Sequence, residues 1–448
     1  MNFETMKQAL VAAAERAGLT DYEIYRETEE QVSVETLKNE VSAFSSGVSG
    51  GVCFRCIVNG KMGAASGELL TEEAMEELVA RAVANAAVID SEDVPEIFAG
   101  SPSYAKPTAP APTPADPAEM KRVALALQSA TYAACNKVGD GTQSGTVSTV
   151  REISLFNSKG LSLSNRVGIT GAWVYAAVRD GEEARDAYRS RRGLDEAALA
   201  GLPREAVDRA LAQLGAAAVK SGKYNVVFDG EQFREFLGTF SSVFSAKAAQ
   251  MGLSLLAGKE GEQIAAPIVN LTDDPMREGA AMQTPFDGEG VATSRKYVVE
   301  NGVLKTLLYD LTAAKKAGVA STGNGRRGGY ASSVSIYPYH FGLSAGTDSL
   351  DDLLAAAGEG IYITACKGFH AGASEVTGDF SIESEGFRIR GGKRAEPIRS
   401  FTVAGNFFDL LKNISRIGNT VCWSPLGGFT CFGSPDILVP DMSIAGEA

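Results

Sequence analysis

The sequence predicts an α+β protein with two related amino-terminal α+β units followed by a larger, mainly antiparallel β-sheet carboxyl-terminal domain. One order of elements occurs twice: helix, antiparallel strands, a glycine-opened strand, an Asx-Gly turn and a helix, with Gly51 and Gly171 in equivalent places. Six of the 16 prolines lie between the two copies and indicate an extended linker. From about Tyr224 long strands and many glycines indicate a third domain. The predicted division is a first unit over 1–100, a linker over 101–117, a second unit over 118–222 and the sheet-rich domain over 223–448.

The first unit is predicted to begin and end with a helix. Apolar residues recur at helical spacing between residues 3 and 14, and Gly18 follows as a C-cap. Alternating residues predict strands over 22–26, 31–37 and 51–58. The last strand turns at Asn59-Gly60, a dipeptide that accepts positive φ in a tight hairpin. A helix from Thr71 closes the unit.

The second unit repeats this order after the linker. Asp116-Pro117-Ala118-Glu119 has the pattern of a capping box with proline in the first helical position, and it predicts a helix. Strands are predicted over 152–156, 161–165 and 171–178. A turn at Asp180-Gly181 and a helix from Pro203 complete the unit.

The third domain is predicted to start with a helix and to continue as sheet. Asp229 is the expected N-cap, with Gln232 three residues later. The helix carries one apolar stripe, formed by Phe233, Leu237, Phe240 and Phe244. A hairpin is predicted over 295–309, folded at Asn301-Gly302. Further strands are predicted over 333–339, 360–366, 381–389 and 437–444.

Composition excludes several classes of function. The 448 residues carry a formal charge of -13, which disfavours a protein that neutralises nucleic acid phosphates or docks on an anionic membrane. Charged residues interrupt the first 17 positions, so no secretory signal is predicted, and no stretch approaches the roughly 20 apolar residues of a membrane span. Six scattered cysteines lack the density of a secreted disulfide framework. We therefore expect a cytoplasmic protein.

Two glycine-rich segments match the residue patterns of known motifs but lack the neighbouring elements that those motifs require. Gly323-Asn324-Gly325-Arg326-Arg327-Gly328 has the dinucleotide fingerprint, but a predicted helix over 310–317 precedes it where a nucleotide-binding loop needs a strand. We expect an ordered loop there. Gly47-Val48-Ser49-Gly50-Gly51 matches a nucleophile elbow, but a strand follows it rather than a helix. A flexible hairpin connection is the expectation for this segment.

Candidate metal ligands are few. Cys53 and Cys56 have the spacing of a redox or zinc pair, yet an odd offset on a strand directs the two sulfurs to opposite faces. Asp273-Asp274 could bind a cation, but Asp before proline is common in turns. The only histidines are His340 and His370. A conventional zinc peptidase uses two or three imidazoles, so this chain alone does not provide one.

Several motifs appear together in the carboxyl-terminal half: residues 322–327, residues 377–381, residues 398–406 ending in Val-Ala-Gly-Asn, and residues 442–446. In these motifs and their order the sequence resembles the PmbA/TldD family, whose members have been called modulators of DNA gyrase. The two amino-terminal units fit the family's layout, so the resemblance covers nearly the whole chain.

The resemblance implies one arm of a two-arm cytoplasmic protease. The TldD arm carries a His-Glu-x-x-x-His zinc helix, and the PmbA arm, also called TldE, lacks it. In this sequence the segment that corresponds to the zinc helix covers residues 237–242, and none of its side chains is a usual zinc ligand. The chain therefore resembles the PmbA/TldE arm. The resemblance implies no cofactor in this chain, zinc in a TldD-like partner, and pairing with that partner or with a second copy.

Family analogy also implies that a peptide or unfolded protein engages as an extended strand, which requires glycine-lined backbone. The residues expected to bind substrate without performing catalysis are Thr322, Gly323, Asn324, Arg327, Gly378, Asp379 and Ser381. Two alternatives stay open. One is an independent hydrolase with atypical ligands, drawn from His370, Asp379, Cys422 and Cys431; the other is a homo-oligomeric peptide-binding scaffold without chemistry.

Overall fold

In a computed structural model that describes residues 3–447, the two amino-terminal units share one antiparallel sheet. The strands run in the order β3-β2-β1-β4-β5-β6, so that β1 of the first unit pairs with β4 of the second. The elements are α1 (Phe3–Arg16), β1 (Tyr22–Leu37), β2 (Glu40–Val58), β3 (Lys61–Gly67), α2 (Glu72–Val88), α3 (Pro117–Ala134), β4 (Gln143–Asn157), β5 (Ser162–Asp180), β6 (Glu183–Arg192), α4 (Glu196–Leu199) and α5 (Leu202–Leu211).

The strand registers confirm that the two units are related. Gly51 lies opposite Glu27 in β1, and Gly171 lies opposite Val147 in β4. The separation of 120 residues between Gly51 and Gly171 equals that between Glu27 and Val147. Gly51 and Gly171 therefore occupy the same place in two hairpins of the same register. Residues 1, 2 and 448 of the predicted ranges lie outside the described residues, and the predicted domain boundaries stay predictions.

Several local sequence signals are confirmed in the two amino-terminal units. Asn59 and Gly60 have φ of 51° and 76°, as the tight turn between β2 and β3 requires. Thr71 caps α2 by accepting a hydrogen bond from the backbone N–H of Ala74. Asp116 caps α3 in the same way, and Pro117 takes the first helical position.

Three predicted boundaries in this sheet are wrong. The ranges 22–26 and 31–37 are parts of one strand, β1, because the polar residues between them pair with β2 on one side and β4 on the other. The ranges 161–165 and 171–178 likewise fall in one strand, β5, apart from Leu161, which precedes it. Gly47–Gly51 is not a hairpin connection but lies inside β2. The turn before β2 falls at Lys38 and Asn39, whose φ values are 54° and 60°.

The carboxyl-terminal domain contains two further six-stranded sheets and a two-stranded one. Its elements are β7 (Gly222–Phe228), α6 (Gly230–Thr239), a 3₁₀ turn (Ser241–Phe244), α7 (Ala246–Gln250), β8 (Leu271–Asp273), β9 (Lys296–Glu300), β10 (Val303–Leu304), α8 (Leu311–Ala317), β11 (Gly325–Arg327), β12 (Val334–Ile336), β13 (His340–Leu343), α9 (Leu350–Ala357), β14 (Gly360–Lys367), α10 (Phe369–Gly372), β15 (Asp379–Arg390), β16 (Lys393–Asn406), α11 (Phe407–Asn413), β17 (Arg416–Ile417), β18 (Cys422–Trp423), β19 (Cys431–Ser434) and β20 (Ile437–Gly446).

One of these sheets closes on itself. Its order is β16-β15-β14-β7-β20-β17, and β16 also pairs with β20, so five strands form a barrel. The second sheet has the order β10-β9-β8-β13-β19-β18. One hydrophobic cluster that includes Phe228, Phe341 and Phe401 extends across both sheets. The predicted α+β class with a larger, sheet-rich carboxyl-terminal domain is confirmed.

The helix predicted through Phe244 is shorter than expected. The α-helix α6 ends at Thr239, and a 3₁₀ turn over Ser241–Phe244 continues the chain. Phe240 stacks on Phe407 with ring centroids 4.5 Å apart, and this packing fixes the chain where the helix ends. Within residues 3–447, each helix is too short or too polar to cross a lipid bilayer.

Candidate functional site

Asp273 is the centre of a buried polar cluster at the end of β8. Its Oδ1 accepts a hydrogen bond from the backbone N–H of Tyr339 at 2.7 Å, and its Oδ2 accepts one from Asn324 Nδ2 at 2.8 Å. Lys296 Nζ lies 3.2 Å from Oδ2. The side chain is completely buried, so these donors replace the water that an ionised carboxylate would lose. Asp273 is therefore a structural carboxylate.

Asn324 lies within this cluster and not on the surface. Its Nδ2 also donates to the Tyr337 carbonyl at 3.1 Å, and its Oδ1 accepts from Thr322 Oγ1 at 2.8 Å. Gly323, between Thr322 and Asn324, has a φ of 70°, and a Cβ there would lie 2.8 Å from the Ala292 carbonyl oxygen. The predicted ordered loop is confirmed only in part: the chain after α8 forms a loop through Asn324, whereas Gly325–Arg327 form the strand β11. Asn324 is fully buried, so its side chain holds the loop in place.

Arg327 joins the carboxyl-terminal domain to the amino-terminal sheet. Its NH2 group lies 2.8 Å from Glu23 Oε1, and its Nε donates to the Gly288 carbonyl at 3.0 Å. The guanidinium also packs over the ring of Tyr25, 4.6 Å from the centroid. Arg55 NH2 lies 2.7 Å from the same Glu23 oxygen. Two arginines from different parts of the chain thus share one buried carboxylate.

A pair of buried carboxylates, Asp287 and Glu289, lies beside these arginines. Asp287 Oδ2 accepts from the backbone N–H of Gly325 at 2.9 Å, and Glu289 Oε2 accepts from that of Leu311 at 2.9 Å. Burial raises the pKa of Asp287 well above its usual range, and the charge of Glu289 raises it further. Burial also raises the pKa of Glu289, against the influence of Arg55. The sequence did not predict this pair, because Asp-Gly-Glu-Gly has the composition of an exposed turn.

A cleft of about 340 Å³ opens next to this carboxylate pair. Its walls come from the amino-terminal sheet, from the chain after α2, and from α7 and α8 of the third domain. Charged residues of both signs line it, among them Arg55, Lys61, Lys247, Glu289 and Lys316. The cleft can accept a polar chain, and these residues provide no nucleophile paired with a base.

The other predicted segment lies at the start of β15. Asp379 and Ser381 are exposed, whereas Gly378 is buried, and a Cβ on Gly378 would lie 2.7 Å from the ring of Phe408. Asn406 Nδ2 donates to Asp379 Oδ1 at 2.9 Å, and this hydrogen bond lowers the pKa of Asp379. Within the described part of the chain, no hydrogen bond or ion pair connects this segment to residues 322–327. The predicted residues therefore form two separate groups.

The window predicted to correspond to the zinc helix does not lie on one helix. Residues 237–242 extend past Thr239, the last residue of α6. The first and last positions of this segment therefore do not lie on one continuous helix, as two zinc ligands of the motif would. Inside α6, the window 234–239 has glutamate in its second position, Glu235, but arginine and threonine where the pattern requires histidines. Phe236, on the same helix, contacts Phe380 edge to face at 5.0 Å. The buried side of α6 is thus an aromatic core.

The atypical ligands considered for an independent hydrolase do not form a metal site. Between residues 3 and 447, no group of three or more His, Cys, Asp or Glu side chains is arranged to hold a metal ion. Burial raises the pKa of Cys422 to about 11 and also raises that of Cys431. Cys53 and Cys56 belong to separate hydrophobic clusters on opposite faces of the sheet, which confirms the prediction for that pair.

Family models match the chain in three consecutive parts. The PmbA/TldA metallopeptidase domain 1 matches residues 22–86, the central domain matches 110–214, and the C-terminal domain matches 221–446. The chain belongs to the PmbA/TldD family. The resemblance read from the carboxyl-terminal motifs is confirmed.

Relatives and solved structures agree with this family. An uncharacterized protein of Methanocaldococcus jannaschii is 28% identical over 406 residues, covering 90% of this chain and 93% of its own length. The metalloprotease PmbA of Escherichia coli O157:H7 is 28% identical over 239 residues, and the match spans 53% of this chain and about half, 49%, of that protein.

Two crystal structures have the same fold over nearly the whole chain. A Thermotoga maritima protein, described as a proposed modulator of a DNA gyrase, has a TM-score of 0.89 and 28% identity, covering 99% of this chain and 100% of its own. TldE from Thermococcus kodakarensis has a TM-score of 0.87 at 21% identity, covering 98% and 100%, and it shows the fold alone.

Proposed function

We propose that this chain is the PmbA/TldE-like subunit of a TldD/TldE-type zinc metalloprotease and that it is itself non-catalytic. A TldD-like subunit supplies the zinc site, and this chain contributes surface that binds the substrate or the partner. The substrates are peptides or small proteins, and the complex acts in the cytoplasm.

The observation that carries the proposal is the composition and packing of α6. A zinc helix of this family needs two imidazoles that reach a common metal, and α6 has no histidine. Phe233, Phe236 and Leu237 are fully buried on this helix. The helix is therefore retained as part of the core, while the ligand positions carry side chains that do not bind zinc.

The two groups of predicted residues have different parts in this proposal. Asp379 and Ser381 are exposed, so their side chains can contact a substrate, while the backbone of this segment is already paired with β16 and with Ala373. Thr322, Gly323, Asn324 and Arg327 act from inside, because their hydrogen bonds hold the loop and the two parts of the chain together. Gly378 gives the chain its turn before β15, with a φ of 80°.

The test compares this chain, a TldD-like paralogue from the same genome, and their mixture. Each is dialysed against a weak chelator, its zinc is measured by elemental analysis, and cleavage of an unstructured peptide is followed by mass spectrometry. We expect cleavage by the mixture, zinc in the paralogue and no stoichiometric zinc in this chain. About one zinc per chain together with cleavage by this chain alone would establish the independent hydrolase instead.

Within the mixture, Asp379→Ala combined with Ser381→Ala tests the exposed group. We expect slower cleavage with unchanged pairing, because both side chains face the solvent and neither supports the core. Asp351→Ala is the matched control, since Asp351 is an exposed carboxylate on α9. Equal rates for the double variant and the control would show that this segment does not contact substrate.

A further inference from the structure

The outer half of β2 is an open sheet edge. On one side β1 pairs with β2 along its whole length, but on the other side β3 pairs only with Val52 to Val58. Residues 41–50 therefore have a neighbouring strand on one side only. In the part of the chain that the structure describes, no hydrogen bond from another element reaches this free side. Residues 42–49 are all exposed to solvent.

The equivalent edge in the second unit is covered. There β6 pairs with β5 only from Gly171 onward, which leaves residues 162–170 without a strand neighbour on that side. Arg166 Nε donates to the Pro112 carbonyl of the linker at 3.1 Å, and Asn165 Nδ2 donates to the Gln283 carbonyl at 3.0 Å. The chain thus covers one of two equivalent edges with its own residues and leaves the other free.

The free edge, residues 41–50, lacks the features that keep exposed strands apart. Natural proteins protect such edges with proline or with charged residues, especially lysine, and this segment contains neither. It also carries two exposed apolar side chains, Phe44 and Val48, which are 56% and 74% exposed. An uncharged strand edge of about ten residues with exposed apolar groups is a template for pairing with another strand.

We propose that this free edge pairs antiparallel with the same edge of a second copy of the chain, about a two-fold axis at Ser46. Directly opposed residues of an antiparallel pair lie on the same face of the sheet. With the axis at Ser46, Phe44 lies opposite Val48 of the second copy, and Val48 lies opposite its Phe44. Each exposed apolar side chain thereby gains an apolar neighbour from one symmetric contact.

Charge also favours a second copy at this place. The chain carries a formal charge of -13, so long-range electrostatic repulsion opposes the approach of two copies. From Val41 to Phe54 no side chain is charged, and the carboxylates of β1 that pair with this segment, Glu29, Glu30 and Glu35, lie one strand away from the contact. The pairing joins two six-stranded sheets into one of twelve strands. It goes beyond the proposed proteolytic role and can be tested on this chain alone.

Cysteine substitution tests the register. In Ser46→Cys the two introduced residues face each other with Cβ atoms about 4.5–5.5 Å apart, close enough for a disulfide after small adjustment. In the control Ser42→Cys each new cysteine lies opposite Gly50 of the second copy, so the two sulfurs are about 27 Å apart along the strands. Under mild oxidation we expect a covalent dimer from Ser46→Cys, and none from Ser42→Cys or from the parent chain.

Sedimentation velocity over a concentration series tests the affinity. We expect a dimer of the parent chain and at least about a tenfold weaker dimer for Val48→Lys, because a two-fold contact repeats each substitution twice. Leu69→Lys is the matched control: Leu69 is 73% exposed in the connection between β3 and α2 and lies off the free edge. We expect it to dimerise like the parent.

Three results would overturn the proposal. One is a parent chain that stays monomeric up to about 100 µM. Another is a Val48→Lys variant that dimerises as strongly as the control Leu69→Lys, which would locate the contact elsewhere. The third is equal cross-linking of Ser46→Cys and Ser42→Cys, which would exclude the register about Ser46.

Discussion

Replacing Arg327 with methionine is expected to destabilise the protein strongly, although Arg327 lies in a glycine-rich segment whose composition is typical of a surface. Methionine keeps much of the side-chain length and removes the charge. The substitution takes away the ion pair with Glu23, the hydrogen bond to the Gly288 carbonyl and the contact of the guanidinium with Tyr25. Both Arg327 and Glu23 side chains are 1% exposed, so water cannot replace the lost partner.

The magnitude follows from what remains around Glu23. Removing one partner of a buried ion pair costs about 3–5 kcal/mol. Arg55 stays 2.7 Å from the same Glu23 oxygen and continues to neutralise the carboxylate. We therefore expect a loss near the lower end of that range, about 3 kcal/mol in the free energy of unfolding.

Urea unfolding followed by tryptophan fluorescence measures this loss. The two tryptophans, Trp173 in β5 and Trp423 in β18, report on the amino-terminal sheet and the carboxyl-terminal domain separately. Because Arg327 joins these parts, its removal should also separate their transitions. Arg390→Met is the control, since Arg390 forms its ion pair with Glu396 on the surface and should leave the midpoint unchanged. A loss below about 1 kcal/mol for Arg327→Met would refute the reasoning.

Three further predictions concern stability. Asn324→Ala should lower the free energy of unfolding by about 2 kcal/mol, because Asp273 loses a buried donor, whereas Asp379→Ala should leave the urea midpoint unchanged. Phe240→Ala should lower the free energy of unfolding by about 3–5 kcal/mol, measured by the same urea unfolding, because Phe240 is fully buried. A loss below about 1 kcal/mol would contradict the position of Phe240 in the core. Burial raises the pKa of Asp436 from 3.8 to about 6, so its ionisation opposes folding increasingly as pH rises from about 4 to about 6. At pH 7.5, Asp436→Asn should therefore unfold at a higher urea concentration than the parent, with a free energy of unfolding larger by up to about 3 kcal/mol. At pH 4 this difference in stability should vanish.

The parts of the fold that depend on adjacent residues were predictable. The turns at Asn59-Gly60 and Asn301-Gly302 and the caps of α2 and α3 each depend on the conformational preference of one or two residues. The extent of β1 was not predictable, because its polar middle is stabilised by strands on both sides. Its neighbour β4 begins about 100 residues later, beyond the reach of any local pattern.

The buried site residues were hidden for a similar reason. Asn324 and Arg327 have the composition of an exposed loop, and their partners Asp273 and Glu23 lie 51 and 304 residues away in the sequence. Single-sequence patterns report which residues favour a loop, not which distant charges the fold brings to it. The α6 window shows the opposite case, in which the missing histidines were evident from the sequence and the place where the helix ends was not.

The pairing of β1 with β4 also sets an order of events during synthesis on the ribosome. Translation at about 5–20 residues per second needs about 5–20 s to add the roughly 100 residues between these strands. During that time β1 can form a hairpin with β2, but its other edge has no partner within the nascent chain. We expect this half-built sheet to be the species that chaperones capture, and a pause in translation before Gln143 to increase aggregation of the unfinished protein.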